Sequence, residues 1–147
     1  MSALTIAQKL TPSLEDYLET IYELHSGRKV VRVKDIARAR GVNASSVSPA
    51  MRRLAALGLI AYERREYIEL TEAGEAAARK VLSRHQILTT FLTEVLEMSR
   101  AAAETDACAM EHHISDEAME RLVRLFEFLR ACPKPDPGFL AKFHTWA

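Results

Sequence analysis

Between Val33 and Leu70 two short helical patterns meet at a glycine and then run into a pair of β-prone segments. That order restricts the possible folds more than any other feature of the chain. Val33 to Arg40 carries one helical turn-and-a-half of apolar spacing and is closed by Gly41. Asn43 stands at the N-cap of a further helix through Ser46, Val47, Met51, Leu54 and Leu57 to Gly58. Leu59–Glu63 and Tyr67–Leu70 then alternate as two strands around Arg64, Arg65 and Glu66. The turn lacks Gly and Asn, so the hairpin register stays open. Helix, glycine turn, helix and hairpin in this sequence spell a winged helix-turn-helix.

The flanking segments are helical as well. A first helix is expected from Ser13, with Ser13 and Asp16 as a capping pair and Leu14, Tyr17, Leu18, Ile21 and Leu24 as its apolar stripe, ending at His25-Ser26-Gly27. Thr71-Glu72 opens a long helix to about Met98, with Val81, Leu82, Leu88, Phe91, Leu92 and Val95 inward. Another helix is expected over about 100 to 114, and Ser115 caps a last one carrying Met119, Leu122, Val123, Phe126 and Leu129. Cys132-Pro133-Lys134-Pro135-Asp136-Pro137-Gly138 stops it, and Phe139, Phe143 and Trp146 are the docking candidates of the tail. The fold class is therefore mainly α: a winged helix-turn-helix domain over residues 1–71, then a helical domain over 72–147.

The formal net charge of zero conceals an asymmetry. From Arg28 to Arg65 there are ten basic residues against two acids, a local +8, which leaves −8 on the remainder. A polyanion suits the basic block and is repelled elsewhere. The reading helix offers Ser45, Ser46, Ser48 and Pro49, short side chains that allow close backbone approach to base edges and phosphates. Arg52 and Arg53 follow one turn on, placed for phosphates, and Arg64 and Arg65 occupy the hairpin tip. The plainer reading is a solvated charged face, but the charge coincides with the glycine turn, the capped helix and the hairpin. Arg40 reads as a cation lying along the surface.

A second constellation lies outside the basic block. Cys108, Glu111 and His112 stand at i, i+3 and i+4 of a helical segment, which stacks a thiol, a carboxylate and an imidazole on one face. Asp16 and Glu19 are at i and i+3 of the first helix, and His85 lies on the long one, which brings the candidate ligands to six from three helices. Oxygen, nitrogen and one soft sulfur suit Mn²⁺, Fe²⁺, Co²⁺, Ni²⁺ or Zn²⁺. The paired cysteines of a structural zinc site are missing. Each residue also has a plainer reading: Asp16 as a capping acid, Glu19 as an exposed acid, His85 as a satisfied histidine against a core, and Cys108 as a small buried hydrophobe. The Glu111-His112-His113 run is the least ordinary, with His113 facing elsewhere as a supporting group.

The stretches SLEDYLETIY, VKDIARARGVNASSV, LGLIAYERREYIELTEAGE, SRHQILTTFL and CAMEHHIS, in this order and spacing, resemble the diphtheria toxin repressor/manganese transport regulator family of metal-dependent transcriptional repressors. The resemblance runs from Pro12 to about Cys132. It implies a homodimer with an N-terminal winged helix and a helical metal-binding and dimerisation region, to which the first helix contributes ligands. The chain looks like the short form without an SH3-like domain. By position, Asp16 and Glu19 match the manganese type's carboxylates, His85 its histidine, and Glu111 and His112 its Glu-His pair. Cys108 departs, standing where that type has a glutamate and the iron type a cysteine, whereas the iron type has a methionine in place of Asp16. The site is a hybrid, which puts a two-ion cluster in doubt. Thr89 likewise puts the iron type's ancillary site in doubt, with Glu104 as a partial substitute there.

The expected function is thus a repressor that needs Fe²⁺, the preferred ion, or Mn²⁺ to bind double-stranded operator DNA and control metal-ion homeostasis genes. Zn²⁺, Co²⁺ or Ni²⁺ would occupy the site in vitro, because thiolate is softer than carboxylate. The alternative is a winged-helix regulator sensing redox state or a small ligand through Cys108. A thiol or metal enzyme is disfavoured, since no oxyanion donors or second substrate motif accompany Cys108 and His112. Two cysteines are too few for a disulfide scaffold, and the N-terminus lacks a basic region followed by an apolar run. No uncharged stretch approaches the about 20 residues of a membrane helix. A cytoplasmic protein with no membrane or organic-substrate partner is expected.

Overall fold

A computed structural model describes residues 10–27, 30–62, 67–131 and 138–146. The chain forms two compact units, Met1–Leu82 and Ser83–Ala147. The long helix runs through the division between them. No helix among the described residues is long and apolar enough to cross a membrane.

The first unit begins with α1 (Pro12–Gly27), followed by α2 (Val33–Arg40), α3 (Ala44–Ala56), β1 (Ile60–Tyr62) and β2 (Ile68–Leu70), then the start of α4 (Glu72–Glu94). Helix α1 starts one residue before the expected Ser13. Pro12 takes the first helical position, where a missing N–H costs nothing, and the Thr11 hydroxyl accepts from the Leu14 N–H at 3.4 Å. Gly41 closes α2 at φ 64°, with its own N–H directed to the Arg38 carbonyl and that of Val42 to the Ala37 carbonyl. Asn43 occupies the N-cap of α3 in extended conformation, but its side chain makes no capping hydrogen bond.

The hairpin is antiparallel, pairing Ile60 with Leu70, Ala61 with Glu69 and Tyr62 with Ile68. Val31 adds a bridge to Ile68, whose N–H donates to the Val31 carbonyl at 2.8 Å. Leu18 and Ile21 of α1, Ile36 of α2, Val47, Met51 and Leu54 of α3, and Ile68 form one buried core. Thr71 locks the helix-turn-helix to α4. Its hydroxyl donates to the Gly58 carbonyl at 2.7 Å and accepts the Gly74 N–H at 3.1 Å. The approach is so close that a Cβ on Gly74 would lie 1.8 Å from the Leu59 carbonyl oxygen.

The second unit holds the remainder of α4, α5 (Arg100–Glu111), α6 (Asp116–Ala131) and α7 (Phe139–His144). Helix α4 ends at Glu94, short of the expected Met98. Glu97 takes a left-handed conformation at φ 53°, and the Met98 N–H turns back to the Leu92 carbonyl at 3.0 Å. Met98 thereby packs against the core of Leu88, Leu92, Ala103, Ala107 and Met119. Ala103 and Ala107, one turn apart on α5, leave room for close helix contact. Ser99 and Ser115 cap α5 and α6, accepting from the N–H groups of Ala102 and Ala118.

Trp146 is 86% exposed and Phe143 is also exposed. His144 of α7 makes polar contacts: Nε2 meets the Val95 carbonyl at 2.7 Å, and Nδ1 lies 2.8 Å from Glu97 Oε1. The Phe139 side chain lies outside the described residues.

Candidate metal centre and nucleic-acid interface

The second unit brings four of the six candidate ligands together. Glu111 is the last residue of α5 and its side chain has no solvent exposure. Its carboxylate lies between two imidazoles, with Oε2 at 2.7 Å from His85 Nδ1 and Oε1 at 3.4 Å from His112 Nε2. Ligand atoms of Cys108, Glu111 and His112 all fall within 4.8 Å of one another. An ion bonded at about 2.0–2.3 Å spans donors up to about 4.5 Å apart, so small side-chain adjustments suffice. Cys108 is exposed, which removes its plainer reading as a buried hydrophobe.

Electrostatics make this an unfavourable place for a carboxylate without a cation. A carboxylate out of water loses its hydration. Glu111 also ends a helix, where the backbone carbonyls present the negative pole. Arg84 relieves part of this by donating to the Glu111 carbonyl at 3.3 Å while its other nitrogen pairs with Asp116. The Glu111 side chain itself faces the imidazoles, and an ion held by the thiol and imidazoles would meet its charge. The donor set of sulfur, nitrogen and oxygen therefore fits a first-row divalent ion. Arg84 was missed from the sequence, since its partner lies 32 residues away.

Asp16 and Glu19 belong to the first unit. Both are half-buried on α1, one turn apart, with carboxylate oxygens within 4.8 Å of each other. Asp16 Oδ2 accepts from Arg40 Nη2 at 3.0 Å. The same guanidinium reaches Thr20 Oγ1 at 3.4 Å and lies 4.9 Å from the centre of the Tyr17 ring. Arg40 is thus a half-buried partner of a candidate ligand, and not a surface cation. Nothing in the local sequence signalled a pairing between residues 24 apart.

The first unit carries the residues expected to face DNA. Val47, Met51 and Leu54 face its core, which turns Ser45, Ser46, Pro49, Arg52 and Arg53 outward as exposed residues. Ser48 is half-buried, its hydroxyl donating to the Ala44 carbonyl at 3.3 Å. Pro49 has no N–H to offer Ser45, so its ring enters the helix near the exposed N-terminal turns. Arg64 and Arg65 lie outside the described residues. At the N-cap of α2, Arg32 lies 5.3 Å from the centre of the exposed Tyr67 ring, which places one more cation beside the hairpin.

Residues 9–67 match the family model described as the iron dependent repressor, N-terminal DNA binding domain. Residues 71–140 match that of its metal binding and dimerisation domain. An uncharacterized transcriptional regulator of the helix-turn-helix type from Methanocaldococcus jannaschii is 35% identical over 77% of this chain and 91% of its own length. The chain belongs to the iron-dependent repressor family. Within this family, which includes the diphtheria toxin repressor and the manganese regulators, it is a metal-dependent, DNA-binding transcriptional repressor. The regulator MntR of Lysinibacillus sphaericus is 32% identical over 84% of this chain and 88% of its own length. A solved manganese-dependent transcriptional repressor in complex with manganese aligns with a TM-score of 0.70 and 32% identity, covering 78% of this chain. The chain spans about half (53%) of that structure's length.

Proposed function

We propose that this repressor senses Fe²⁺ in preference to Mn²⁺, and that Asp16, Glu19, His85, Cys108, Glu111 and His112 are its ligands. The single observation that carries the reading is the Glu111 carboxylate, without solvent exposure at the negative end of α5 and bracketed by two imidazoles beside a thiol. A bound divalent ion supplies positive charge to a carboxylate held away from water. His85 holds the carboxylate from the long helix, His112 holds it from the residue that caps α5, and Arg84 fixes the backbone between them. Cys108 is the donor that tilts the preference from manganese towards iron, since thiolate is the softer ligand. Zn²⁺, Co²⁺ and Ni²⁺ are the competitors expected in vitro. The family match supports an ion over direct thiol sensing by Cys108.

The protein acts as a homodimer on double-stranded operator DNA in the cytoplasm, and catalyses no reaction. Leu122, Val123 and Phe91 pack against the core of their own unit. Leu125 and Phe128 are 46% and 64% exposed on α6, and these are the residues we assign to the dimer interface. In a two-fold dimer the two α3 helices address half-sites one DNA turn apart.

The test is anaerobic binding to promoter duplex across Fe²⁺, Mn²⁺, Co²⁺, Ni²⁺ and Zn²⁺, at fixed salt. The expected order places Fe²⁺ above Mn²⁺ and chelated protein lowest, by the about 5- to 150-fold of ordinary coupling. Equal retention of duplex by chelated protein would remove the metal dependence, and Mn²⁺ above Fe²⁺ would reverse the assignment of Cys108.

A further inference from the structure

Arg40 is the last residue of α2, and Gly41 at φ 64° ends the helix immediately after it. Its side chain crosses to α1 and lies along one turn of that helix. Nη2 donates to Asp16 Oδ2 at 3.0 Å, Nη1 donates to Thr20 Oγ1 at 3.4 Å, and the guanidinium stands 4.9 Å from the Tyr17 ring centre. Thr20 in turn donates to the Asp16 carbonyl at 2.8 Å, so the groups that Arg40 touches are themselves tied together. The pair is only partly open to solvent, with side-chain exposures of 28% for Arg40 and 27% for Asp16. Its attraction is accordingly screened less than that of a surface pair.

We propose that Arg40 is a built-in competitor for Asp16: an internal cation that holds this carboxylate when the divalent ion is absent and weakens the ion's binding when it is present. The proposal rests on the metal reading of Asp16 given above. A guanidinium hydrogen-bonded to one carboxylate oxygen lowers that group's negative potential and repels a second cation brought to the other oxygen. The contact with the Tyr17 ring and the bond to Thr20 hold the guanidinium there, so it does not simply swing into water. Arg40 thereby sets the ion concentration at which the site fills. Along the chain only Gly41, Val42 and Asn43 separate Arg40 from α3, which begins at Ala44. An ion that loosens the grip of Arg40 on α1 therefore acts directly on the chain entering the reading helix.

The experiment compares wild type, Arg40→Leu and Arg40→Lys as full-length, chelator-stripped proteins, titrated with Mn²⁺ by calorimetry and melted without metal. Arg40→Leu should bind Mn²⁺ about twofold to fivefold more tightly, the scale of a partly exposed ion pair. It should also melt at a lower temperature than wild type when chelated. Arg40→Lys keeps the charge without the guanidinium's two hydrogen bonds and should tighten binding by a smaller factor, which retains the test if the leucine variant folds poorly. In the chelated state, Arg40→Leu should lower the melting temperature less in the Asp16→Asn background than in wild type. Unchanged or weaker Mn²⁺ binding by both Arg40 variants overturns the proposal while leaving the metal site intact. A wild-type chain that binds no Mn²⁺ and no Fe²⁺ overturns the metal reading itself, and the competitor role with it.

Discussion

Replacing Glu111 with glutamine separates a metal ligand from a merely structural acid, because the two roles give opposite signs in two conditions. The amide keeps the shape of the carboxylate and can still hydrogen-bond His85, 2.7 Å away. It removes a charge that has no exposure to water and stands at the negative pole of α5. Burying a neutral amide costs less than burying a carboxylate, so the chelated variant should lie within about 1 kcal/mol of wild type, or above it. With metal the order reverses. An ion at about 100 times its dissociation constant stabilises the wild-type fold by about 2.7 kcal/mol. For a chain of 147 residues this is a rise of about 8–11 °C in melting temperature, at roughly 3–4 °C per kcal/mol. Glu111→Gln should lose nearly all of that rise. Thermal melts followed by circular dichroism, with chelator and with excess Mn²⁺, measure both numbers in one series. A variant whose melting temperature rises with Mn²⁺ as much as that of wild type would refute the assignment of Glu111 as a ligand. A large loss of stability in chelator would instead make it a structural acid.

Three further outcomes follow from other parts of the molecule. Gly74→Ala places a methyl group 1.8 Å from the Leu59 carbonyl oxygen, so α4 must move away from the Gly58–Leu59 turn. The expected cost is at least about 3 kcal/mol, read from urea unfolding, and a midpoint equal to wild type would contradict the close approach. Arg52→Ala and Arg53→Ala should each weaken duplex binding for all sequences alike and lower the salt slope by about 0.9. A slope unchanged in both would take these exposed residues off the DNA. Phe128→Glu puts a charge at an exposed position of α6 and should yield monomers at micromolar concentration in sedimentation experiments, with intact helicity. A dimer that survives it would move the interface elsewhere.

Most of the helix-turn-helix is legible in the amino-acid order, because local chemistry decides it. Gly41 and Gly58 take positive φ where the apolar period breaks, and Ser99 and Ser115 cap the helices that follow them. The i, i+3, i+4 spacing likewise placed Cys108, Glu111 and His112 on one face of α5, since helical periodicity alone controls that neighbourhood. Local rules failed where two cues competed. Pro12 displaced Ser13 as the start of α1, and the left-handed turn at Glu97 ended α4 before Met98.

Contacts between residues distant in the chain depend on three-dimensional packing, and no pattern of spacing encodes them. The burial of Glu111 between His85 and His112, the Arg84 bond beneath it and the grip of Arg40 on Asp16 are all of this kind. Periodicity says which face a side chain occupies but not which cation or acid it meets there. The amino-acid order thus determined the elements and the chemical class of the ligands. Tertiary packing alone decided which carboxylate lost its water and which arginine compensates an acid, because hydration and charge pairing are set by every atom nearby and not by neighbours along the chain.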